Sequence, residues 1–227
     1  MNRSPRIRPG RGAFTLIELL AVLGVMVILF SLTAGLFLRM NAGSSMRSAA
    51  SSMQTALALA RQHAISEGQA TYVVALPRDL DFGGIESLRP YAANGYAVYA
   101  VTNAAPGSME GRWLTGWRRL PPRAVLDDDP GRPDSWFQPA ARVDGFPLAG
   151  DGGGTEVRSL PACGFLPEGR PPLPGGYRVY LVEGTHRVDG GEITITRQVG
   201  GLEATLRVNG LTGLTRMAEY RAADPGP

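Results

Sequence analysis

The hydrophobic pattern divides the chain into three stretches. From Phe14 the sequence is apolar apart from Thr15, Glu18, Ser31 and Thr33, and from Leu19 to Leu38 twenty residues pass without a charge or a proline. At 1.5 Å per residue such a helix is about 30 Å long, the thickness of a bilayer's hydrocarbon core. A run that is apolar on every face predicts a membrane span, and in lipid it must be helical to satisfy its own backbone. Beyond Arg39 the pattern turns amphipathic. Met46, Ala49, Ala50, Met53, Leu57, Ala60 and Ala64 recur at steps of three and four, with Arg47, Ser51, Gln54 and Arg61 between them. This periodicity predicts a helix over 44–67, closed by Gly68, whose apolar stripe packs on a domain. His63 and Glu67, four apart, read as a solvated pair on that helix in preference to a metal or acid–base pair.

After Gly68 the pattern shifts to short β-type runs: Thr71–Leu76, Gly95–Thr102, Arg112–Trp117 and Ala124–Leu126, then Tyr177–Val182, Glu192–Val199, Leu202–Val208 and Leu211–Met217. Gly190-Gly191, Gly200-Gly201 and Asn209-Gly210 separate the last four runs and suit tight hairpin turns, so an antiparallel meander is expected. Residues 127–156 read as irregular. No helical pattern of useful length follows residue 68, which disfavours a parallel α/β enzyme. The expected fold is α+β: one long N-terminal helix packed on an antiparallel β-sheet.

Composition refines this picture. With 30 Gly and 18 Pro in 227 residues, the chain suits a loop-rich β domain. There is no Lys, so all 23 basic residues are Arg. Arg3, Arg6, Arg8 and Arg11 precede the apolar run; removing these four leaves 19 arginines against 20 acids. The basic pI of about 9.3 therefore belongs to the first thirteen residues, and a basic nucleic-acid-binding body is not supported. Four arginines ahead of the span place the N-terminus in the cytoplasm and the C-terminal part outside. The lone Cys163 excludes a disulfide scaffold and a Cys-rich zinc site, and reads as an inert buried thiol.

Chemistry-bearing motifs are sparse. Asp127, Asp128, Asp129, Asp144, Asp151 and Glu156 form a candidate set of calcium ligands, but the EF-hand spacing is absent and a solvated acidic loop is the plainer reading. The signatures G-x-S-x-G, H-E-x-x-H, G-x-x-x-x-G-K-[ST] and G-x-G-x-x-G are missing. No catalytic residue, cofactor, metal or small-molecule substrate is expected.

One motif is specific. Gly12-Ala13-Phe14-Thr15-Leu16-Ile17-Glu18-Leu19-Leu20 resembles the leader and cleavage motif of type IV prepilins and type II secretion pseudopilins. The resemblance implies that a prepilin peptidase removes a basic leader, residues 1–13, and methylates Phe14. It further implies that helix 14–38 spans the inner membrane and later forms filament core, that 39–68 continues the helix, and that 69–227 is a periplasmic β domain. The family has Gly directly before Phe, whereas here Ala13 intervenes. Cleavage between Ala13 and Phe14 makes Glu18 the fifth mature residue, as in the family; cleavage between Gly12 and Ala13 makes it the sixth. The first is preferred, because Ala is nearly as small as Gly. Glu18 is then the assembly residue, its carboxylate meeting the Phe14 amine of a neighbouring pilin-like subunit. Ser51–Leu76 and Gly164-Phe165-Leu166-Pro167-Glu168-Gly169 are similar to stretches of GspH/FimT-type minor pseudopilins. The implied role is a minor subunit of a type II secretion pseudopilus or a type IV pilus. Two alternatives stand beside it. One is a DNA-binding minor pilin, opposed by a C-terminal segment in which Arg216 and Arg221 face Glu219 and Asp224; the other is a signal-anchored periplasmic domain that never assembles.

Overall fold

A computed structural model describes residues 16–105 and 108–222, with side chains described for all of these but 31–42, 105 and 219–222. One helix, α1, runs over Leu16–Glu67. The chain divides into two compact units between Asn41 and Ala42. In the first unit every described side chain, Leu16 to Phe30, is exposed. Among the described residues no helix is long and apolar enough to cross a membrane. The expected span, 14–38, begins before the described residues, its side chains from 31 onward are not described, and Gly12, Ala13 and Phe14 lie outside the described residues.

The second unit begins with the amphipathic part of α1. All seven residues of the predicted stripe are fully buried, while Arg47 and Ser51 face solvent. Among the described residues eleven strands follow, in two antiparallel sheets. The first sheet contains β1 (Thr71–Ala75), β2 (Gly95–Ala105), β3 (Ser108–Trp113), β4 (Arg118–Arg119), β6 (Arg142–Ala149) and β7 (Thr155–Phe165), ordered β3-β2-β1-β7-β6, with β4 paired to β2. The second contains β5 (Ala124–Leu126), β8 (Tyr177–Asp189), β9 (Glu192–Arg197), β10 (Leu202–Val208) and β11 (Thr215–Ala222), ordered β11-β10-β8-β5, with β9 paired to the far end of β8.

The period-two alternation of the first sheet serves two cores, because both its faces are covered. Val73, Ala75, Tyr96, Val98, Cys163 and Phe165 point to the α1 stripe, where Tyr177, Val179, Leu181, Ala204 and Leu206 of the second sheet join them. Val74, Leu76, Tyr99, Val101, Leu160 and Ala162 point the other way, into an aromatic core with Phe82, Ile85 and Phe146. There Tyr99 and Trp113 lie 4.8 Å apart edge to face, and Trp113 Nε1 donates to the Pro147 carbonyl of β6 at 3.1 Å. These contacts draw β6 toward β3 and curl the sheet.

Several expectations change. One sheet and a simple meander were expected; the strands form two sheets, and β9 returns along the distal half of β8 without separating it from β10. Residues 127–156 are not wholly irregular, since β6 and the start of β7 fall there. The expected run Arg112–Trp117 is instead β3, ending at Trp113, followed by a bend and the short β4. The last strand starts at Thr215 and not at Leu211, because the Asn209 side chain accepts from the backbone N–H groups of Leu211 and Thr212 and holds them in a turn.

Candidate assembly surfaces

The residues singled out in the sequence fall into three places. Glu18 sits in the first turn of α1, exposed, among apolar neighbours that include Leu16 at 78% and Phe30 at 74% exposure. An apolar surface of this kind on a soluble domain marks a site meant to be covered.

The second place is the motif Gly164–Gly169, which ends β7 and turns back onto α1. Phe165 is fully buried against the helix stripe. The Gly169 N–H donates to the Leu166 carbonyl at 2.7 Å, closing the turn. Arg61 on the helix donates from Nε to the carbonyls of Gly169 at 3.2 Å and Thr212 at 3.0 Å, so one guanidinium ties two turns to the helix. Gly169 has φ of +78°, and an added Cβ would stand 2.5 Å from Ile65 Cδ1. The Gly is thus required by the left-handed backbone, and an added Cβ would also make the exposed Ile65 side chain shift. Gly169→Ala is expected to lower the unfolding free energy by about 1–3 kcal/mol, measured by thermal or urea unfolding; an unchanged midpoint would show that the turn can relax without cost.

The third place is the polar face of the second sheet, covered by residues 127–138. The Asp127 carboxylate is fully buried; its Oδ2 lies 2.7 Å from Arg132 Nε, and its Oδ1 pairs with Arg197. Arg132 also forks onto Glu203, at 2.7 and 3.2 Å, and lies over the Tyr180 ring with Cζ 4.8 Å from its centroid. Asp128 pairs with Arg78 at 3.2 Å; burial raises its carboxyl pKa, with Arg78 opposing. Asp151 accepts from the backbone of Glu86 and Ser87. Asp127, Asp128 and Asp151 thus have separate partners, and among the described residues no group of three or more such ligands converges.

His63 does not pair with Glu67 as expected. Its Nδ1 lies 3.1 Å from the Thr71 hydroxyl, linking the end of α1 to β1. Burial pushes the Cys163 thiol well above its ordinary range, which keeps it protonated and unreactive. Sequence reading missed the groove where Ser48, Ser51, Ser52, Thr55, Tyr96 and Arg118 line a space of about 280 Å³. The serines and Thr55 were legible as the polar flank of the helix, but their neighbour β4 was not.

These features define an α+β protein that presents surfaces, with its buried charges bound to one another. The family model described as type II transport protein GspH matches residues 49–212, well over half of the chain, and the chain belongs to this GspH-type minor pseudopilin family. Both stretches read as similar to such proteins, 51–76 and 164–169, lie inside the match. No curated protein and no solved structure matches the chain. The family is one of structural components of type II secretion, which associate with other pseudopilins at the cell envelope.

Proposed function

We propose that the chain is a minor pseudopilin of a type II secretion pseudopilus, inserted by helix 14–38 in the inner membrane with its C-terminal domain in the periplasm. A prepilin peptidase cuts between Ala13 and Phe14, discards leader 1–13 and methylates Phe14. The helix then leaves the bilayer and packs among other pilin-like subunits, with 39–68 continuing it into the β domain, 69–227. The reading rests on one conjunction: a GspH domain over 49–212 preceded by the prepilin-type motif Gly12–Leu20 and an apolar run. The family match begins after that run, so the two observations are independent. The match to type II transport favours secretion over a type IV pilus.

The test is mass spectrometry of the protein isolated from cells that make it. The expected N-terminus is Phe14 carrying one methyl group. An Ala13 start would move the cleavage to Gly12, and an intact Met1 end without methylation would overturn processing altogether.

A further inference from the structure

The outer face of the second sheet carries a row of like charges. Arg178 of β8, Arg207 of β10 and Arg216 of β11 stand directly opposite one another in the strand register. Three guanidinium groups thus share one face within two strand spacings, about 10 Å. Like charges directly opposite destabilise a sheet. Asp134 lies 3.3 Å from Arg178, whereas among the described residues no carboxylate pairs with Arg207 or Arg216, both exposed. Below the row is a cavity of about 300 Å³ walled by Arg132, Arg178, Tyr180, Glu203, Thr205 and Arg207. A β-bulge widens it: the partners step from Leu206–Met217 to Thr205–Glu219, leaving Ala218 as the extra residue at the cavity's rim. Thr205 is only 4% exposed, and its hydroxyl has no hydrogen-bond partner among the described residues.

We propose that this row and cavity dock a carboxylate-bearing segment of a partner polypeptide, with Asp or Glu side chains bridging Arg207 and Arg216 and the Thr205 hydroxyl as a further donor. The guanidinium fork matches a carboxylate with two parallel hydrogen bonds, and Arg132, fixed by Asp127, Glu203 and the Tyr180 ring, gives the floor of the site a rigid frame. A phosphodiester chain fits less well. It needs a continuing basic track, and here the row is bounded by Glu203 in the cavity wall.

The experiment uses the full chain in detergent micelles, with the leader residues Arg3, Arg6, Arg8 and Arg11 changed to Gln so that only the folded domain's charges are read. The probe is a fluorescent hexaglutamate peptide followed by anisotropy. Binding that weakens with salt is expected, and Arg207→Glu or Arg216→Glu should each reduce it about tenfold, the loss of one charge-assisted contact. Neither reversal should lower Tm, because each relieves repulsion, and Arg112→Glu on exposed β3 should change neither quantity. Hexaglutamate that fails to bind, or binds regardless of both reversals, would overturn the site. An oligothymidylate of equal length or phosphatidylglycerol vesicles binding as tightly through the same arginines would overturn the carboxylate assignment. The assay needs no filament, so its failure and that of the assembly reading are separate results.

Discussion

Arg132→Ala is expected to destabilise the folded domain by about 3–5 kcal/mol, the range for breaking a buried ion pair from one side. One guanidinium bridges Asp127 and Glu203, whose side chains are 0% and 5% exposed. Without it Asp127 keeps Arg197, but Glu203 loses the only cation within pairing distance among the described residues. Carboxylates left facing each other without their shared cation repel, and burial leaves them poorly solvated. The covering segment should loosen first, because the ion pairs fasten it where Trp136 is fully buried and donates its backbone N–H to the Arg178 carbonyl at 3.2 Å. Urea unfolding followed by tryptophan fluorescence measures the effect. Arg132→Lys should recover only part of it, since a single ammonium cannot fork onto Glu203 and hold Asp127 together. Combining Arg132→Ala with Glu203→Gln should recover another part by removing the stranded charge. A loss below about 1 kcal/mol for the alanine variant would mean that the segment is held by its apolar contacts alone.

What the sequence disclosed follows the range of the forces involved. The α1 stripe was legible to the residue, because a 3.6-residue period is local and each member from Met46 to Ala64 is buried by it. The core strands β1, β5 and β10 were legible as short apolar runs that contain Val. The strand β6 was not. Its pattern is broken by Asp144, Gly145 and Pro147, and its register shifts between Val143 and Phe146. Gly145 has φ of +98°, and a Cβ there would stand 2.9 Å from Met109 N, so the break in pattern is the mark of a close crossing with β3. The sheet partners were equally hidden, since β1 pairs with β7 through Val73 and Cys163, ninety positions apart, and no periodicity reports such a pairing. The acidic run at 127–129 was ambiguous because its partners, Arg78, Arg132 and Arg197, come from separate parts of the chain. Charge counting predicted near-neutrality of the body but not that three arginines would line up in one row.

Glu18→Ala is expected to leave membrane insertion and cleavage intact while sharply reducing incorporation into the pseudopilus. A carboxylate at the centre of a span costs about 2.5–3.5 kcal/mol, and one near its start costs less, so removing Glu18 does not hinder insertion. The proposed cleavage at the Ala13–Phe14 bond lies four residues away, where the small residue and the aromatic are unchanged. The loss falls on the later step. On the proposed reading, the helix exchanges lipid for sister helices, the amine at Phe14 enters an apolar filament core, and a carboxylate from the neighbouring subunit neutralises it. Removing one member of such a pair strands the other. The measurement compares the variant's amount in isolated pseudopili with its amount in the membrane, alongside the mass of its N-terminus. Glu18→Gln separates charge from shape: it fills the same space and can hydrogen-bond, so an incorporation defect close to that of the alanine variant would assign the effect to charge. Incorporation of Glu18→Ala at the normal level, with normal cleavage, would remove the amine–carboxylate pair from the assembly step and leave apolar packing alone to drive it.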